Sequence, residues 1–399
     1  MDADRFLTQT LRDLRVASIL AAAIEAADPG ALVKDYLQKA HLPEHRRVFL
    51  LGIGKAAESM TQAASELLSS FTNALVITKH ASSWARLPMA VMEGGHPIPD
   101  ERSLAAGRAA LEFVSTLNED DLLVCLISGG GSALVTLPRQ GITLEEIQTK
   151  TARLLAGGAT INEINALRRQ LDRLKAGGLA RATRARVVSL ILSDVIGNSL
   201  ETIASGLTVD PSLGARVRNI IIGDIRMAAQ ASQKQAAANG FDSKILDLHL
   251  RGEAREVGVR LARRLKDERG RKVHPFCSIA GGETTVTVRG QGKGGRNQEL
   301  ALAAVDELGG TESVLLISLA TDGEDGPSGA AGAVVSGQTG PRAQSLGMRA
   351  SAYLSQNDAY SFFDPLGDLI RCGSTGTNVD DLVFLVGLEQ DPGKEQKTE

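Results

Sequence analysis

Aromatic residues and cysteines are scarce in this sequence of 399 residues. Phe, Trp and Tyr together make up 3% of it, whereas there are 42 glycines. Stacking surfaces for bases need aromatic rings, while glycine turns present backbone N–H groups to anions, so this balance favours phosphate-binding turns. The three cysteines, Cys125, Cys277 and Cys372, are widely spaced, which indicates core thiols in a reducing compartment rather than disulfides or a thiolate metal site.

The chain also lacks a strong net charge and a long apolar run. Its formal net charge of −3 gives no broad positive field, which argues against nucleic acid or anionic membrane as partners and favours small molecules. The N-terminus lacks a basic start, and the apolar stretch from Val16 to Ala27 is interrupted by Glu25 and too short to span a bilayer. We expect an amphipathic helix packed on the core there, and a cytoplasmic location.

The length favours two domains, because single hydrophobic cores stop growing near this size. Strand-length apolar runs alternate with helical patterns, which predicts βαβ units and a mainly parallel sheet. The runs are 48–51, 74–78, 122–127, 187–192 and 219–222. We predict a doubly wound α/β domain over residues 1–240, a smaller α/β domain over 241–389 and a disordered tail over 390–399.

Several helices and strands can be placed within these domains. Helices are predicted at 101–116, 227–239, 253–268 and from about 297 to 308. The second domain is expected to contain strands at 245–250, 314–319 and 382–386, and two short strands separated by Gly281 and Gly282.

The first glycine-rich loop runs from Gly52 to Ala57, directly after the first apolar run. With Gly52 and Gly54 at a strand-to-helix turn, helix N–H groups can hold an anion that the ammonium of Lys55 can also reach. The pattern also matches a dinucleotide fingerprint, but that fingerprint expects an acidic residue after the next strand, where this chain has Lys79. NAD binding is therefore disfavoured, and a tight turn with a solvated lysine is the alternative.

The second loop, Ser128-Gly129-Gly130-Gly131-Ser132, also follows a predicted strand. Parallel α/β sheets place their ligands at the carboxyl ends of strands. Three consecutive glycines permit a nest of N–H donors around an anion, and the flanking hydroxyls add further donors. The alternative interpretation is a flexible loop without a ligand.

Asp194 follows the apolar run 187–192 at another strand end. A carboxylate in that position can hold Mg²⁺ or accept a proton from a substrate hydroxyl, so Asp194 is a candidate metal ligand or base. Capping of a helix is the competing explanation.

A basic segment precedes Asp194, with Arg168, Arg169, Arg173 and Lys175 on one apparent helix. These side chains could neutralise nucleotide phosphates. A solvated helix end that complements the helix dipole is the more frequent meaning of such charges, so they rank as secondary candidates.

The second domain contains the densest anion-binding pattern. The candidates for binding substrate or phosphate there are Gly282, Glu283, Gly294, Gly295, Asn297 and Gln298. The loop 290–299 opens a helix, so a phosphate can approach its N-terminus while Arg296 stabilises the charge that develops in transfer. A mobile loop with an exposed arginine is the alternative.

Two further loops contain polar groups. The acidic loop from Thr321 to Gly326 lacks the full calcium-loop spacing, so at most it lends one or two carboxylates, with Asp322 as the candidate, to a metal shared with ATP. The loop from Gly373 to Asn378 suits phosphate or sugar contacts. Each could also be a simple turn.

In order, these segments resemble the glycerate 2-kinases whose C-terminal part is called the MOFRL domain, a family with relatives labelled hydroxypyruvate reductases. The resemblance runs from about Val48 to Gly387. The stretches that carry it are GIGKAA (52–57), EGGHPIPDERS (93–103), CLISGGGSAL (125–134), LSDVIG (192–197), GGETTVTVRGQGKGGRNQE (281–299), TDGEDG (321–326) and STGTNVDDL (374–382).

The resemblance implies transfer of the γ-phosphoryl group of ATP to the 2-hydroxyl of D-glycerate, with Mg²⁺ or another divalent cation, in a cleft between the two domains. It also implies that Lys55 and Arg296 are the positively charged active-site residues, with Lys55 on the glycerate or the transferring group and Arg296 offsetting negative charge. A homodimer stays open.

At several positions the sequence differs from the residues that are usual in the family. Relatives commonly have histidine, serine and arginine where this chain has Gln170, Asp172 and Gly178. The remaining departures are Asn198 for aspartate, Leu207 for proline, Gly329 for aspartate, Cys372 for threonine and Ser374 for proline. Two rival functions stay open: an NAD(P)H-dependent hydroxypyruvate reductase, favoured by the fingerprint at 52–57, and a non-catalytic sensor of nucleotides or metabolites, favoured by these departures.

Overall fold

The computed structural model describes residues 1–81, 88–156 and 161–389, so the predicted tail at 390–399 lies outside the described residues. The chain divides into two compact units. The first unit comprises residues 28–224 with 376–379, and the second comprises 1–27, 225–375 and the residues from Asp380 onwards. Each unit is built around its own sheet.

The described strands are, in chain order, β1 (Arg47–Ile53), β2 (Asn73–Thr78), β3 (Met89–Glu93), β4 (Asp121–Ile127), β5 (Arg186–Leu192), β6 (Val217–Gly223), β7 (Asp242–Leu250), β8 (Phe276–Gly282), β9 (Val314–Ala320), β10 (Gly332–Val335), β11 (Leu369–Ile370) and β12 (Asp381–Gly387). The described α-helices are α1 (Leu14–Ala26), α2 (Pro29–Lys39), α3 (Ala57–Leu67), α4 (Glu101–Ser115), α5 (Gly131–Leu134), α6 (Leu144–Ala156), α7 (Ile161–Leu171), α8 (Gly178–Arg181), α9 (Ile225–Ala238), α10 (Ala254–Arg271), α11 (Arg296–Leu308), α12 (Thr339–Ser345), α13 (Ala350–Ser355) and α14 (Ala359–Phe363).

The first unit contains a parallel sheet in the order β3-β2-β1-β4-β5-β6, with helices in the crossovers. Every neighbouring pair in it is parallel. The predicted doubly wound sheet is confirmed, because the apolar runs form β1, β2, β4, β5 and β6. The sequence did not predict β3, since this edge strand is mostly only half-buried and lacks a continuous apolar run.

Helix α4 shows how the local sequence sets an element of this unit. Asp100 and Ser103 form a reciprocal capping box, in which each side chain accepts a backbone N–H at the helix start. Ala106, Ala110 and Val114 then recur at helical spacing and are buried in the core of the unit. The prediction of a helix at 101–116 is confirmed.

The second unit has a mixed sheet in the order β11-β10-β9-β12-β8-β7. Its β7–β8 pair is parallel, and the other neighbouring pairs are antiparallel. The prediction of two short strands around Gly281 and Gly282 is wrong, because both glycines lie within β8. The segment that follows forms an isolated bridge between Thr285 and Glu253, and backbone hydrogen bonds also join Glu283 to Leu250 and Thr285 to Gly252.

The division between the units differs from the predicted boundary after residue 240. Helix α9 belongs to the second unit, where it packs on β7, and Gln233 and Ser243 exchange hydrogen bonds of 3.2 and 3.0 Å. Glycine 240 ends this helix but does not separate two cores. A short return segment, 376–379, also brings the chain back to the first unit.

Helix α1 packs on α9, which confirms the predicted core-packed N-terminal helix. Ile19, Leu20 and Ile24 lie on its buried side. In the described part of the chain, no single helix has the length and apolar composition needed to cross a bilayer, and α1 and α2 pass such a test only when counted together across their break.

The close approach of α10 and α11 predicts opposite effects for two alanine substitutions in α10. A Cβ on Gly258 would lie 2.1 Å from the carbonyl oxygen of Leu300, whereas a Cβ on Gly270 meets nothing within 4 Å. We expect Gly258→Ala to lower the free energy of unfolding by about 1–3 kcal/mol through overpacking. Gly270→Ala should raise it by about 0.5–1 kcal/mol through helix propensity.

Thermal unfolding followed by circular dichroism measures both variants. Similar midpoints for the two would contradict this description of the packing between α10 and α11.

Candidate functional site

The loops after β1 and β4 meet at the carboxyl ends of these neighbouring strands. The connection from β1 leads to β2 on one side of the sheet order, and the connection from β4 leads to β5 on the other, so the strand order reverses between them. Ligands of open α/β sheets bind in the crevice at such a point. The Lys55 N–H donates to the Gly129 carbonyl (2.9 Å), and the Ala56 N–H donates to the Ser128 hydroxyl (2.9 Å).

Glycine is required where the two loops touch. Gly54 has a φ of 132°, and a Cβ there would lie 2.5 Å from the carbonyl oxygen of Ser128. Gly130 has a φ of 82° in the left-handed region. Gly52 differs from them, because it lies within β1, and a Cβ there would lie 2.3 Å from the hydroxyl of Thr61 on α3. We therefore correct Gly52 from a phosphate-binding candidate to a packing position.

His96 is a member of this site that the sequence analysis did not single out. A Cβ on Gly130 would lie 3.3 Å from Cδ2 of His96 and 3.3 Å from Cγ of Lys55, so both side chains flank the loop. Burial lowers the pKa of His96 to about 3, so the imidazole is neutral at physiological pH. The nearby cations that lower it further are Lys55, Lys79 and Arg168. The Gly-Gly-His-Pro motif at 94–97 is the sequence signal that could have identified His96.

Asp194 lies against the second glycine loop. A Cβ on Gly129 would lie 2.0 Å from its Oδ2, so glycine makes room for this carboxylate, which also accepts a hydrogen bond from Asn378 Nδ2 (3.4 Å). The competing explanation, helix capping, is not supported, since turns follow Asp194 up to a short 3₁₀ segment at Ile203–Ser205. The structure thus brings together Lys55, the glycine nest and Asp194, as their positions at strand ends predict.

The hydroxyl of Ser132 lies at the far end of the same loop, in a buried polar network. It lies 2.7 Å from the hydroxyl of Ser205, which donates to Asn165 Oδ1 (3.1 Å). Asn165 donates in turn to the carbonyl of Thr202 (2.9 Å). The network fixes Ser132 and connects the glycine loop to α7.

Two members of the basic segment, Arg168 and Lys175, are buried, which corrects their interpretation as part of a solvated helix end, whereas Arg169 is half-buried and Arg173 is exposed. The Lys175 ammonium donates to the carbonyl of Val135, and burial lowers its pKa to about 8, although Asp172 acts in the opposite direction. Asp172 accepts from the N–H groups of Leu137 (2.9 Å) and Leu174 (2.8 Å). Burial raises the pKa of Asp172.

The structure also shows the surroundings of other residues that differ from those usual in the family. Asn198 donates to Asp224 Oδ2 (2.6 Å), where an aspartate would put a second carboxylate. A Cβ on Gly178 would lie 1.8 Å from the carbonyl oxygen of Arg173, so this backbone arrangement has no room for a side chain. Leu207 is buried in the first unit, whereas Gln170 is exposed.

In the second unit, Arg296 is held between two carboxylates. It donates through Nε and Nη2 to Asp381 and through Nη1 to Glu283. Burial alone would lower the pKa of Arg296, but the charges of Asp381 and Glu283 outweigh it and raise the pKa well above its ordinary value. Glu283, predicted to contact substrate, is thus a partner of the predicted catalytic arginine.

The N-terminus of α11 is occupied by a carboxylate of the protein. Asp325 accepts from the N–H groups of Asn297 (3.0 Å) and Gln298 (2.8 Å), and a Cβ on Gly295 would lie 2.3 Å from its carboxyl carbon. Asp325 therefore occupies the N–H groups of Asn297 and Gln298 and the space beside Gly295, which corrects the prediction that these three residues bind phosphate. Its charge also complements the helix dipole. Phosphate binding by Gly294 stays a prediction.

Two further candidates in the second unit have local roles. A Cβ on Gly282 would lie 2.4 Å from the carbonyl oxygen of Leu250, so glycine permits the close approach of β7. Asp322 accepts through Oδ1 from the N–H of Glu324 (3.0 Å), and its carbonyl accepts from Thr375 N–H (3.3 Å). The two predicted metal ligands, Asp194 and Asp322, belong to different units. No group of three or more metal-ligating side chains occurs among the described residues.

A separate cavity of about 740 Å³ on the first unit includes Arg173 of the basic segment in its lining, but none of the described residues of the glycine loops. It is lined by Pro138, Arg139, Gln140, Arg173 and Arg181. The polar groups that converge at the strand ends, rather than this cavity, mark the candidate site.

Comparison with known proteins gives matches over most of the chain. Residues 15–237 match a domain of unknown function, DUF4147, and residues 276–381 match the MOFRL family. D-glycerate 2-kinase of Thermotoga maritima is 38% identical over 95% of this chain and 99% of its own length. The crystal structure of glycerate kinase from the same organism has a TM-score of 0.83 and covers 93% of this chain and 98% of that chain.

Two further relatives differ in name. Glycerate 2-kinase of Pyrococcus horikoshii is 34% identical, with 92% of this chain and 96% of its own length covered. A putative hydroxypyruvate reductase of Agrobacterium vitis is 35% identical, with 92% and 93% covered.

The Asp325 cap predicts a pH dependence of stability. Burial raises the pKa of Asp325 to about 6, although the N–H groups of Asn297 and Gln298 act in the opposite direction. Between the ordinary value of 3.8 and about 6, the folded protein binds more protons than the unfolded chain. The contribution of Asp325 to stability is therefore greatest below this window and falls as pH rises through it.

Asp325→Asn removes this titration. We expect the free energy of unfolding of the parent protein, minus that of the variant, to fall between about pH 4 and pH 6 and to level off above. Urea titrations across this range measure the difference, and a flat or rising difference would refute the assignment.

Proposed function

Because this chain belongs to the glycerate 2-kinase family, we propose that it transfers the γ-phosphoryl group of ATP to the 2-hydroxyl of D-glycerate, giving 2-phosphoglycerate and ADP. The crevice loops of the first unit support this proposal most. There the Lys55 N–H is bound to Gly129, next to a three-glycine turn and a carboxylate. Phosphoryl transfer depends mainly on positioning and charge neutralisation, which such a set supplies.

In the proposed reaction, one bond to the γ-phosphorus forms and one breaks. The 2-hydroxyl oxygen of glycerate attacks the γ-phosphorus, the bond from that phosphorus to the β,γ-bridging oxygen breaks, and ADP leaves. The hydroxyl proton passes to a carboxylate, for which we propose Asp194. We propose that Lys55 neutralises charge on the transferring group or the glycerate, and that Arg296 offsets developing negative charge.

A divalent cation fits the first unit in one specific way. Asp194 supplies a carboxylate oxygen, the ligand type that Mg²⁺ prefers, and its neighbour Asn378 is an amide rather than a second acid. Magnesium commonly binds through one or two carboxylates with waters and nucleotide phosphates. As the alternative to its role as the base, we propose Asp194 as the residue that would hold a nucleotide-bound Mg²⁺, which would neutralise phosphate charge.

The observed fold gives less support to the alternative function, an NAD(P)H-dependent hydroxypyruvate reductase. β2 ends at Thr78 and is followed by Lys79, whereas a dinucleotide site uses an acidic residue there for the ribose hydroxyls.

With D-glycerate, Mg²⁺ and ATP, we expect ADP release that depends on glycerate. With hydroxypyruvate and NADH, we expect no oxidation. NADH oxidation without glycerate-dependent ADP release would overturn the kinase proposal.

The two proposed cations can be tested separately. We expect Lys55→Ala and Arg296→Ala each to lower kcat/KM by about 100-fold or more, since each removes charge that stabilises the transition state. Lys34→Ala and Arg263→Ala are matched controls, because those residues form exposed ion pairs with Glu66 and Glu307.

Steady-state kinetics with D-glycerate and Mg-ATP measures all four variants. Near-parent turnover in Lys55→Ala or Arg296→Ala would remove that residue from the active site.

A further inference from the structure

Arg168 is buried without a carboxylate bound to its guanidinium. It is only 7% exposed, and its hydrogen bonds go to neutral oxygens: Nη1 to Ser132 Oγ (3.3 Å) and Nη2 to the carbonyl of Pro97 (2.7 Å). Its Nε is buried and has no hydrogen-bond partner among the described residues. Asp172 attracts Arg168 electrostatically, but its carboxylate binds backbone N–H groups instead.

This arrangement is costly in the absence of a ligand. A buried charge is normally paired, and a buried donor is normally hydrogen-bonded. The cost also appears in the pKa of Arg168, which burial lowers to about 10. An anion bound beside Arg168 would supply both the missing charge and the missing acceptor.

The guanidinium of Arg168 keeps donors for a ligand. Nη1 and Nη2 each make one hydrogen bond to the protein and each has a second hydrogen, and Nε has no partner among the described residues. Two such donors can bind the two oxygens of a carboxylate. Both terminal nitrogens of Arg168 are held in place. Ser132, which accepts from Nη1, is fixed by the Ser205 network, and Pro97, which accepts from Nη2, follows His96 in an anchored loop.

The contacts that anchor the loop 94–97 place His96 near Arg168. A Cβ on Gly94 would lie 2.2 Å from the carbonyl oxygen of Leu134, and the Gly95 N–H donates to Ser103 Oγ (2.8 Å). The loop therefore packs directly on the chain that follows the glycine nest. His96, neutral and next to Gly130, can donate one ring N–H to an anion without adding charge.

We propose that Arg168 and His96 form the site that binds the carboxylate of the substrate, with Ser132 orienting the guanidinium. The inference rests on the proposed function, since it names the part of D-glycerate that is recognised. The glycine nest and Lys55 lie where the strand order reverses, which suits a phosphoryl group, whereas Arg168 is buried with donors for two oxygens, which suits a carboxylate. Arg168 thereby selects 2-hydroxy acids over neutral alcohols.

Calorimetric titration of the full chain with D-glycerate and with its neutral amide, D-glyceramide, tests this assignment without turnover. We expect the parent protein to bind the acid about 10 to 100 times more tightly than the amide, the range of a charge-assisted hydrogen bond. In Arg168→Met this preference should fall to near one, because the charge is lost. Affinity for β,γ-imido-ATP with Mg²⁺ should be unchanged.

Arg169→Met is the matched control, since it makes the same change at the next residue of α7, and it should keep the preference for the acid. Unfolding temperatures identify a folding defect, and replacing a buried unpaired charge with methionine is expected to leave stability unchanged or raise it. If Arg168→Met does not fold, Arg168→Lys should lose most of the preference, because lysine lacks the planar fork.

The outcomes separate this inference from the proposed function. A parent protein that binds glycerate but releases no ADP would contradict the kinase proposal, while the acid-to-amide ratio still decides the role of Arg168. An unchanged ratio in Arg168→Met, weaker binding of imido-ATP instead, or no binding of glycerate by the parent protein would each overturn the carboxylate site.

Discussion

The contact between the loops after β1 and β4 is the constraint on which the candidate site depends. The Lys55 N–H bonded to Gly129, and Ser128 bonded to Ala56, hold these loops together at the reversal of the strand order. Gly54 is required because the backbones approach too closely for a Cβ. The side chains that follow these contacts are thereby placed at one edge of a buried sheet, where little reorganisation is needed when an anion binds.

The two units carry their positive charges in different ways. In the second unit, Arg296 is compensated by Asp381 and Glu283, and the α11 N-terminus is compensated by Asp325. In the first unit, Lys55, Lys79 and Arg168 surround a neutral His96. Arg296 therefore acts on a ligand only while it also interacts with its two carboxylates.

The sequence predicts the first unit well because apolar runs and strand-end glycines are local signals. Lys55, Ser128 and Asp194 follow from this reasoning, since the ends of adjacent parallel strands share one edge. The buried Arg168 and the Asp325 cap do not follow, because they depend on partners far apart in the sequence. A charged helix looks solvated, and a glycine loop before a helix looks like an anion site, until a tertiary neighbour is known.

A crystal structure of the chain with D-glycerate, Mg²⁺ and a non-hydrolysable ATP analogue tests the central claim most directly. The account predicts a ligand anion within hydrogen-bonding distance of the Ser128–Ser132 loop and of Lys55 Nζ. Ligands bound only at the cavity beside Arg139 and Arg181, with the crevice between the β1 and β4 loops free of both, would contradict it.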